Sequence, residues 1–439
     1  MNKCIITLAR SWDSLVLTRN LGESGTRVIT GDVTQLAPAS LSHFAYKSFT
    51  YPDSFNKPER FMDKLVEVAE EHYDPDGNLV LIPQHHTSFV VAKYRDRLDG
   101  LVKMALPSAE KLDQVHDKGK LAEFCMDNNI RIPPTIVAKS LEELRDRAGE
   151  IDYPAFIKLR KSSGSVGIEK VDSADKAIES FERIVDKFDL SRESYPILQQ
   201  MIEGEELCSA FLFANGKPKM EMTYHNIREY PNGNGVGFLR ETVNAENLEA
   251  TGKKLLEKLA WHSVAEIDFI VDENDCHWLL EVNPRFWGGL AQSVESGWDF
   301  PMKYYQLAVE GDIEPFKTKS KNIRTFNPCL AMLQTFSELT RSSSAQKEIK
   351  EAMEELKNNF NGEAVKSIGD FISKFSEAMN PKERFTKIFD LLHESQDTLD
   401  EFFRWDDPMP ALGLLYPLLI FIKNGRVSID KLVPGGKPK

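Results

Sequence analysis

The sequence predicts a multidomain protein of mixed α/β and α+β class. It has an N-terminal α/β layer, a central part of strands and hairpins, and a mainly helical C-terminal extension. Three observations carry this prediction. Strand-like apolar runs alternate with helix-periodic stretches over residues 1–110. Two strand–turn–strand patterns rich in glycine or acid follow at residues 153–171 and 265–289. Beyond Gly311, acidic, basic and apolar residues recur at helical spacing. A chain of 439 residues also exceeds one ordinary core.

Taken in order, residues 3–9 (KCIITLA) read as a strand, 15–21 as a helix and 26–30 as a second strand. The helical run 58–73 leads to a third strand at 79–82. This is a small Rossmann-like layer over residues 1–110 with a largely parallel sheet. Gly22 and Gly25 alone do not make the GxGxxG fingerprint, so the layer reads as structural and not as an NAD site. A new pattern begins near Lys111: a helix over 117–128, an extended stretch enforced by Pro133 and Pro134, a helix over 141–148 and a strand over 155–159. In the last part, residues 345–356, 368–379 and 385–392 look helical, and 341–344 and 406–410 look like punctuation. The resulting division is 1–110, 111–320 and 321–439.

Composition bounds the function. With 41% hydrophobic and 28% charged residues the chain can bury a core and resist global disorder. A formal net charge of −13 argues against coating a nucleic-acid backbone, but not against a small cationic nucleotide pocket. The five cysteines are odd in number and scattered, which supports neither a disulfide framework nor a zinc site; a reducing cytoplasm is the expected setting. The opening MNKCIITLARSWD meets charge too early for a secretion signal. The longest apolar run, 411–422, is 12 residues with Pro417 inside, where a membrane span needs about 20. It reads as a buried element or a peripheral patch.

Residues 153–171 (YPAFIKLRKSSGSVGIEKV) place Lys158 near the end of an apolar strand, before a turn of small residues and a returning strand at 168–171. Small residues let backbone N–H groups approach a polyphosphate, and a lysine adds a point charge. No GK[ST] follows, so this is not a Walker A loop. The same residues also suit a plain glycine hairpin with a solvent-facing lysine.

Residues 265–289 (AEIDFIVDENDCHWLLEVNPRFWGG) read as two strands joined by the turn 272–275, which brings Asp268 near Glu281 and Asn283. Glu281 and Asn283 lie two apart and share one strand face. Hard oxygen donors at that spacing suit magnesium, which binds through one or two carboxylates plus substrate phosphates. Arg285 follows, with a guanidinium suited to a transferring phosphoryl group. The alternative is a set of salt-bridged or capped acids, but burying that much unpaired polarity costs several kcal/mol (order of magnitude).

Together these features resemble the ATP-grasp superfamily, whose members include biotin carboxylase, carbamoyl phosphate synthetase and D-alanine–D-alanine ligase. The resemblance covers residues 111–320, with a small lid subdomain at about 145–200 and residues 1–110 as the preceding domain. It rests on the lysine strand, the small-residue loop, the segment 197–206 (ILQQMIEGEE) and E-x-N-P-R at 281–285. The resemblance implies that Lys118 and Lys158 contact nucleotide, and that Ser163, Gly164, Ser165 and Gly167 form the lid loop over the phosphates. It also implies a hinge from Gln199 through Gln200 and Met201 to Ile202 whose backbone reads adenine, with Glu206 near the ribose. Asp268, Glu281 and Asn283 would hold magnesium, or manganese in its place, and Arg285 and Lys158 would act in catalysis. Two departures stand out: Asp268 where many members carry glutamate, and Gln200 where the hinge often has glutamate.

The segments 284–289 (PRFWGG) and 228–242 (REYPNGNGVGFLRET) further resemble a prokaryotic branch of predicted carboxylate–amine ligases. That branch implies an acceptor pocket near His225, Arg228 and Arg240. Either arginine suits a substrate carboxylate or a plain surface position, and His225 suits a pocket wall better than a base. The implied reaction uses ATP and Mg2+ to make an acyl phosphate, which an amine then converts to an amide. Carboxylation, thioester formation, small-molecule phosphotransfer and ATP binding without turnover remain open alternatives. The implied partners are a small carboxylate and a small amine, with no nucleic acid and no membrane span; a homodimer is a family habit.

Overall fold

In the computed structural model the described residues are 1–161, 167–230, 235–331, 334, 393 and 395–414. The N-terminal sheet is parallel, with β1 Asn2–Thr7, β2 Arg27–Asp32, β3 Ala45–Thr50 and β4 Asn78–Ile82 in the order β3-β2-β1-β4. The helix Trp12–Glu23 starts at Ser11, whose side chain accepts from Ser14 N–H, and the helix Pro58–His72 starts with proline at its first turn. Both anticipated helices are therefore present, the first longer than expected. Strand β3 was not anticipated. It lies at the sheet edge, most of its residues are exposed, and its sequence AYKSFT shows no apolar stripe.

A second, antiparallel sheet holds β5 Thr135–Ile136, β6 Ala155–Lys158, β7 Ile168–Val171 and β8 Ile197–Gln200 in the order β5-β8-β6-β7. Its two middle strands carry Lys158 and Gln199. At the start of β7, Gly167 has φ +69°, and a Cβ there would stand 2.1 Å from Leu159 Cδ1. Only glycine lets the chain turn back so close to the strand it has left. Leu159 N–H donates to the Gly167 carbonyl and closes the base of the loop.

The third sheet is the largest: β9 Glu205–Ala214, β10 Lys217–Tyr230, β11 Val236–Val243, β12 Ser263–Val271, β13 His277–Asn283, β14 Arg324–Phe326 and β15 Thr398–Asp400, ordered β13-β12-β9-β10-β11-β14-β15. The expected hairpin is β12–β13. Apolar residues from the N-terminal sheet (Cys4, Ile6) and its first helix (Leu17, Leu21) share one core with residues of the central sheet and the segments after it (Met222, Phe286, Trp287, Phe300). The two sheets are thus fixed against each other by burial.

The C-terminal part is described only in places. Its described residues form β15, a parallel partner of β14, and a 3-10 turn at Met409–Leu414. Asp407 is buried and accepts from Arg19 Nε at 2.9 Å, Ser42 Oγ at 2.7 Å and His43 N–H at 3.0 Å. The expected helices at 345–356, 368–379 and 385–392, and most of the apolar run 411–422, lie outside the described residues. No helix among the described residues is long and apolar enough to cross a membrane.

Candidate active site

Lys118 opens the helix Lys118–Asp127. Asp117 caps that helix, accepting from Gly119 N–H at 3.0 Å and Lys120 N–H at 3.1 Å. The same carboxylate receives Arg160 Nε at 2.6 Å, and Lys118 N–H donates to the Arg160 carbonyl at 3.0 Å. The helix start is therefore tied to the end of β6, which carries Lys158. A cleft lined by Lys118, Ile132, Ile197, Gln199, Leu279 and Leu280 lies between the small sheet and β13. Apolar walls with a lysine and an amide suit a flat heteroaromatic ring joined to an anion.

Lys158 Nζ donates to Gln199 Oε1 at 2.8 Å, and Gln199 Nε2 donates to Thr135 Oγ1 at 2.9 Å. Burial pulls the Lys158 ammonium down to about 8; nearby Lys118 adds to this and Glu281 opposes it. In the hinge, Gln200 N–H is taken by the Pro134 carbonyl and Met201 N–H by the Pro154 carbonyl. Those two amides are thus committed to the fold.

Across the cleft, Asp268 on β12 stands opposite Glu281 on β13 and Cys208 on β9, while Glu266 stands opposite Asn283. Lys118 Nζ lies 3.4 Å from Glu281 Oε2. Burial works against the Glu281 anion, yet Lys118 and Lys158 outweigh it and hold its carboxyl below the usual range. Asp268 behaves oppositely: burial and the neighbouring Glu266, Glu281 and Glu206 push its carboxyl well up. Glu206 is likewise raised to about 8 by burial and by Glu229, Glu281 and Glu266. Two like charges about 5 Å apart repel by about 3 kcal/mol at an effective dielectric of about 20. Such crowding calls for protons or a cation.

The donor set fits a hard cation with one qualification of geometry. Asp268 and Glu281 supply carboxylate oxygens from adjacent strands. Asn283 Nδ2 donates to Asp268 Oδ2 at 3.1 Å and Glu266 Oε2 at 3.3 Å, while Asn283 Oδ1 accepts from Arg285 Nη2 at 3.0 Å. A metal contact through Asn283 Oδ1 therefore requires its amide to rotate. Glu206, Cys208 and Asp268 also bring ligand atoms within 4.8 Å of one another. The Cys208 thiol is pushed well up by burial, then by Asp268, so it stays protonated and is a poor magnesium ligand.

Glu266 escaped the sequence reading. It is buried and receives the Tyr224 hydroxyl, and its signal was its place two residues before Asp268 on the same strand face. Gly289 makes room for this contact: a Cβ there would stand 2.6 Å from the Tyr224 ring and hydroxyl. The acceptor residues divide. His225 lies on β10 between Leu207 and Glu241, Arg228 is exposed on the same strand, and Arg240 is turned inward onto Glu401. The Arg240 guanidinium thus faces the C-terminal segment, not an open pocket. Ser163, Gly164 and Ser165 lie outside the described residues.

Residues 115–289 match the sequence model of the ATP-grasp domain family. This segment resembles an ATP-grasp domain. Among relatives of the domain, urea amidolyase from Lachancea kluyveri is 22% identical over 239 residues, covering 51% of this chain and 13% of the relative. The chain therefore spans a small part of that relative's length. Among solved ATP-grasp folds, the biotin carboxylase domain dimer of the 2-oxoglutarate carboxylase of Hydrogenobacter thermophilus, in complex with MgADP, ADP and bicarbonate, is similar with a TM-score of 0.59 at 16% identity, covering 74% of this chain and 73% of that one. An L-amino acid ligase from Bacillus licheniformis is similar with a TM-score of 0.56 at 14% identity, covering 74% and 80%. These likenesses extend the shared fold beyond the matched domain.

Proposed function

We propose that this protein is an ATP- and magnesium-dependent ligase that activates a carboxylate as an acyl phosphate and joins it to an amine. The observation that carries the reading is one cleft with cations and carboxylates on facing walls. Lys118 and Lys158 stand on one side, Asp268 and Glu281 on the other, and the Lys118–Glu281 pair at 3.4 Å marks where they meet. The matched ATP-grasp family and the likeness to an L-amino acid ligase support the same reading.

Asp268 and Glu281, with Asn283 after rotation, would hold magnesium, or manganese in its place. When bound, the ion neutralises phosphate charge and polarises the bond to be broken. The apolar cleft orients the base, Gln200 and Ile202 offer backbone groups at its edge, and Glu206 sits where a ribose hydroxyl would pair. Lys118 and Lys158 neutralise phosphate oxygens. Arg285, beside Asn283, stabilises charge on the transferring phosphoryl group. The substrate carboxylate oxygen attacks the terminal phosphorus, and the bond to ADP breaks. The amine nitrogen then attacks the acyl carbon, forming C–N as phosphate leaves, and the surplus proton passes to solvent. A reducing cytoplasm suits the five cysteines, all of them free.

Product analysis with candidate acid and amine pairs tests the reading. ADP, free phosphate and an amide in equal amounts are expected, each dependent on both substrates. A stable phosphorylated substrate would identify a phosphotransferase instead.

A further inference from the structure

The reading above leaves the N-terminal sheet without a task, yet its topology creates a crevice. From β1 the chain moves outward through β2 to β3, then crosses back to place β4 on the other side of β1. In an open parallel sheet, ligands bind outside the carboxyl ends of the strands where the order reverses. Here that position lies past Thr7 of β1 and Ile82 of β4. The two loops are fastened together by the Thr7 and Thr87 hydroxyls, 2.7 Å apart, and by Gln84 N–H donating to Thr7 Oγ1 at 3.0 Å.

Two buried side chains at this crevice have uncommitted polar atoms. Asp13 is 3% exposed; its Oδ1 lies 3.4 Å from His85 Nε2, while Oδ2 has no hydrogen-bond partner among the described residues. Gln84 is 0% exposed, and neither its amide oxygen nor its amide nitrogen has a partner among the described residues. Buried polar atoms are nearly always paired, so three such atoms, on the first turn of the helix Trp12–Glu23 and on the loop after β4, point to a ligand. Arg285, assigned above to the phosphoryl group, favours the charged form of Asp13 and disfavours that of His85, and its Nη1 and Nη2 donate to the Phe286 carbonyl at 2.8 Å and to Asn283 Oδ1 at 3.0 Å. The other nearby guanidinium, Arg10, pairs through Nη1 with Asp32 at 2.8 Å, while its Nε has no hydrogen-bond partner among the described residues.

We propose that this crevice binds the acid substrate as a zwitterion: an amino acid whose ammonium group pairs with Asp13 Oδ2, whose carboxylate lies toward Arg285, and whose remaining polar atoms meet the Gln84 amide. The inference rests on the ligase reading and names its substrate class. An unsatisfied anion beside a cation is the complement of a molecule carrying both charges. A simple carboxylic acid would reach Arg285 but leave Asp13 Oδ2 buried without a partner, and a site built for a polar group rejects analogues that lack it.

The test uses the full-length protein with the common amino acids and their desamino counterparts, alanine against propionate for example. Binding is followed by calorimetry with magnesium and a non-hydrolysable ATP analogue, and turnover by ADP release with ATP. At least one amino acid should bind at least about tenfold more tightly than its desamino counterpart. Asp13→Asn, which keeps the shape, should reduce that preference to about twofold or less. Gln84→Leu provides a second variant if Asp13→Asn melts early, and it should weaken amino-acid binding while sparing binding of the ATP analogue. Equal use of desamino acids, an unchanged preference in Asp13→Asn, or no binding of any amino acid overturns the proposal. Selective amino-acid binding without ADP release under any acceptor would leave this site standing and count against the ligase reading. ADP release driven equally by acids lacking an amino group would do the reverse.

Discussion

Nη1 of Arg240 reaches both carboxylate oxygens of Glu401, at 2.6 and 2.7 Å, although the two residues are 161 positions apart. Both side chains are almost fully buried, and the Gly237 carbonyl accepts from Nη2 of Arg240. The pair ties β11 to the residue that follows β15. Glu401→Ala leaves a buried guanidinium without its anion, a change that costs about 3–5 kcal/mol. Thermal unfolding of this variant should show a Tm well below the parent. An unchanged Tm would show that the C-terminal segment contributes nothing to the fold here.

Lys158 supplies the pH prediction. Its ammonium is pulled down to about 8 by burial and Lys118, so it is charged below that pH and neutral above it. Phosphate binding needs the charged form. The affinity of the free protein for ATP should therefore fall as pH rises through about 8, and calorimetry across pH 6.5 to 9.5 would follow it (window set about that value). Lys158→Ala should bind ATP weakly at every pH and lose the step near 8. A pH profile identical to the parent's would remove Lys158 from the phosphate site.

Glu281 sits between Lys118 and the raised Asp268. Glu281→Gln keeps the shape but removes the charge proposed to hold the cation, and turnover should drop by about a hundredfold or more. Raising magnesium should recover part of the loss if the defect is in metal affinity. Turnover at the parent level, with the same magnesium dependence, would sink the metal assignment.

Gly289 and Tyr224 form a steric pair, since a Cβ on Gly289 would press on the Tyr224 ring at 2.6 Å. Gly289→Ala should displace Tyr224 from Glu266 and destabilise by about 1–3 kcal/mol. Combined with Tyr224→Ala, the penalty should be less than additive, because the second change removes the clash. Strict additivity in denaturant unfolding would mean that the two residues do not interact.

What the sequence revealed, and what it hid, follows from the range of the interactions. Strands β6, β7, β12 and β13 were readable because each hairpin is local and its apolar alternation is intact. The pairing of Asp268 with Glu281 followed from that register. Glu266 shares a strand face with Asp268 through their period-two spacing, but what marks it is the hydroxyl of Tyr224, 42 positions away. The edge strand β3 had no apolar stripe to betray it. Arg240 read as a pocket arginine because its partner Glu401 is remote in sequence, and Asp407 contacts Arg19 from 388 positions away. Asp13, Gln84 and His85 carry no local motif. The approach of Asp13 to His85, 72 positions away, exists only once the parallel sheet has formed.

The central claim, activation of a carboxylate by phosphoryl transfer, is tested most directly by isotope transfer. With oxygen-18 in the carboxylate of the substrate acid, turnover with ATP and an amine should place one labelled oxygen in each phosphate released, because the carboxylate oxygen bonds to phosphorus before the amide forms. Phosphate free of label, released together with the same amide, would contradict the acyl phosphate and the account built on it.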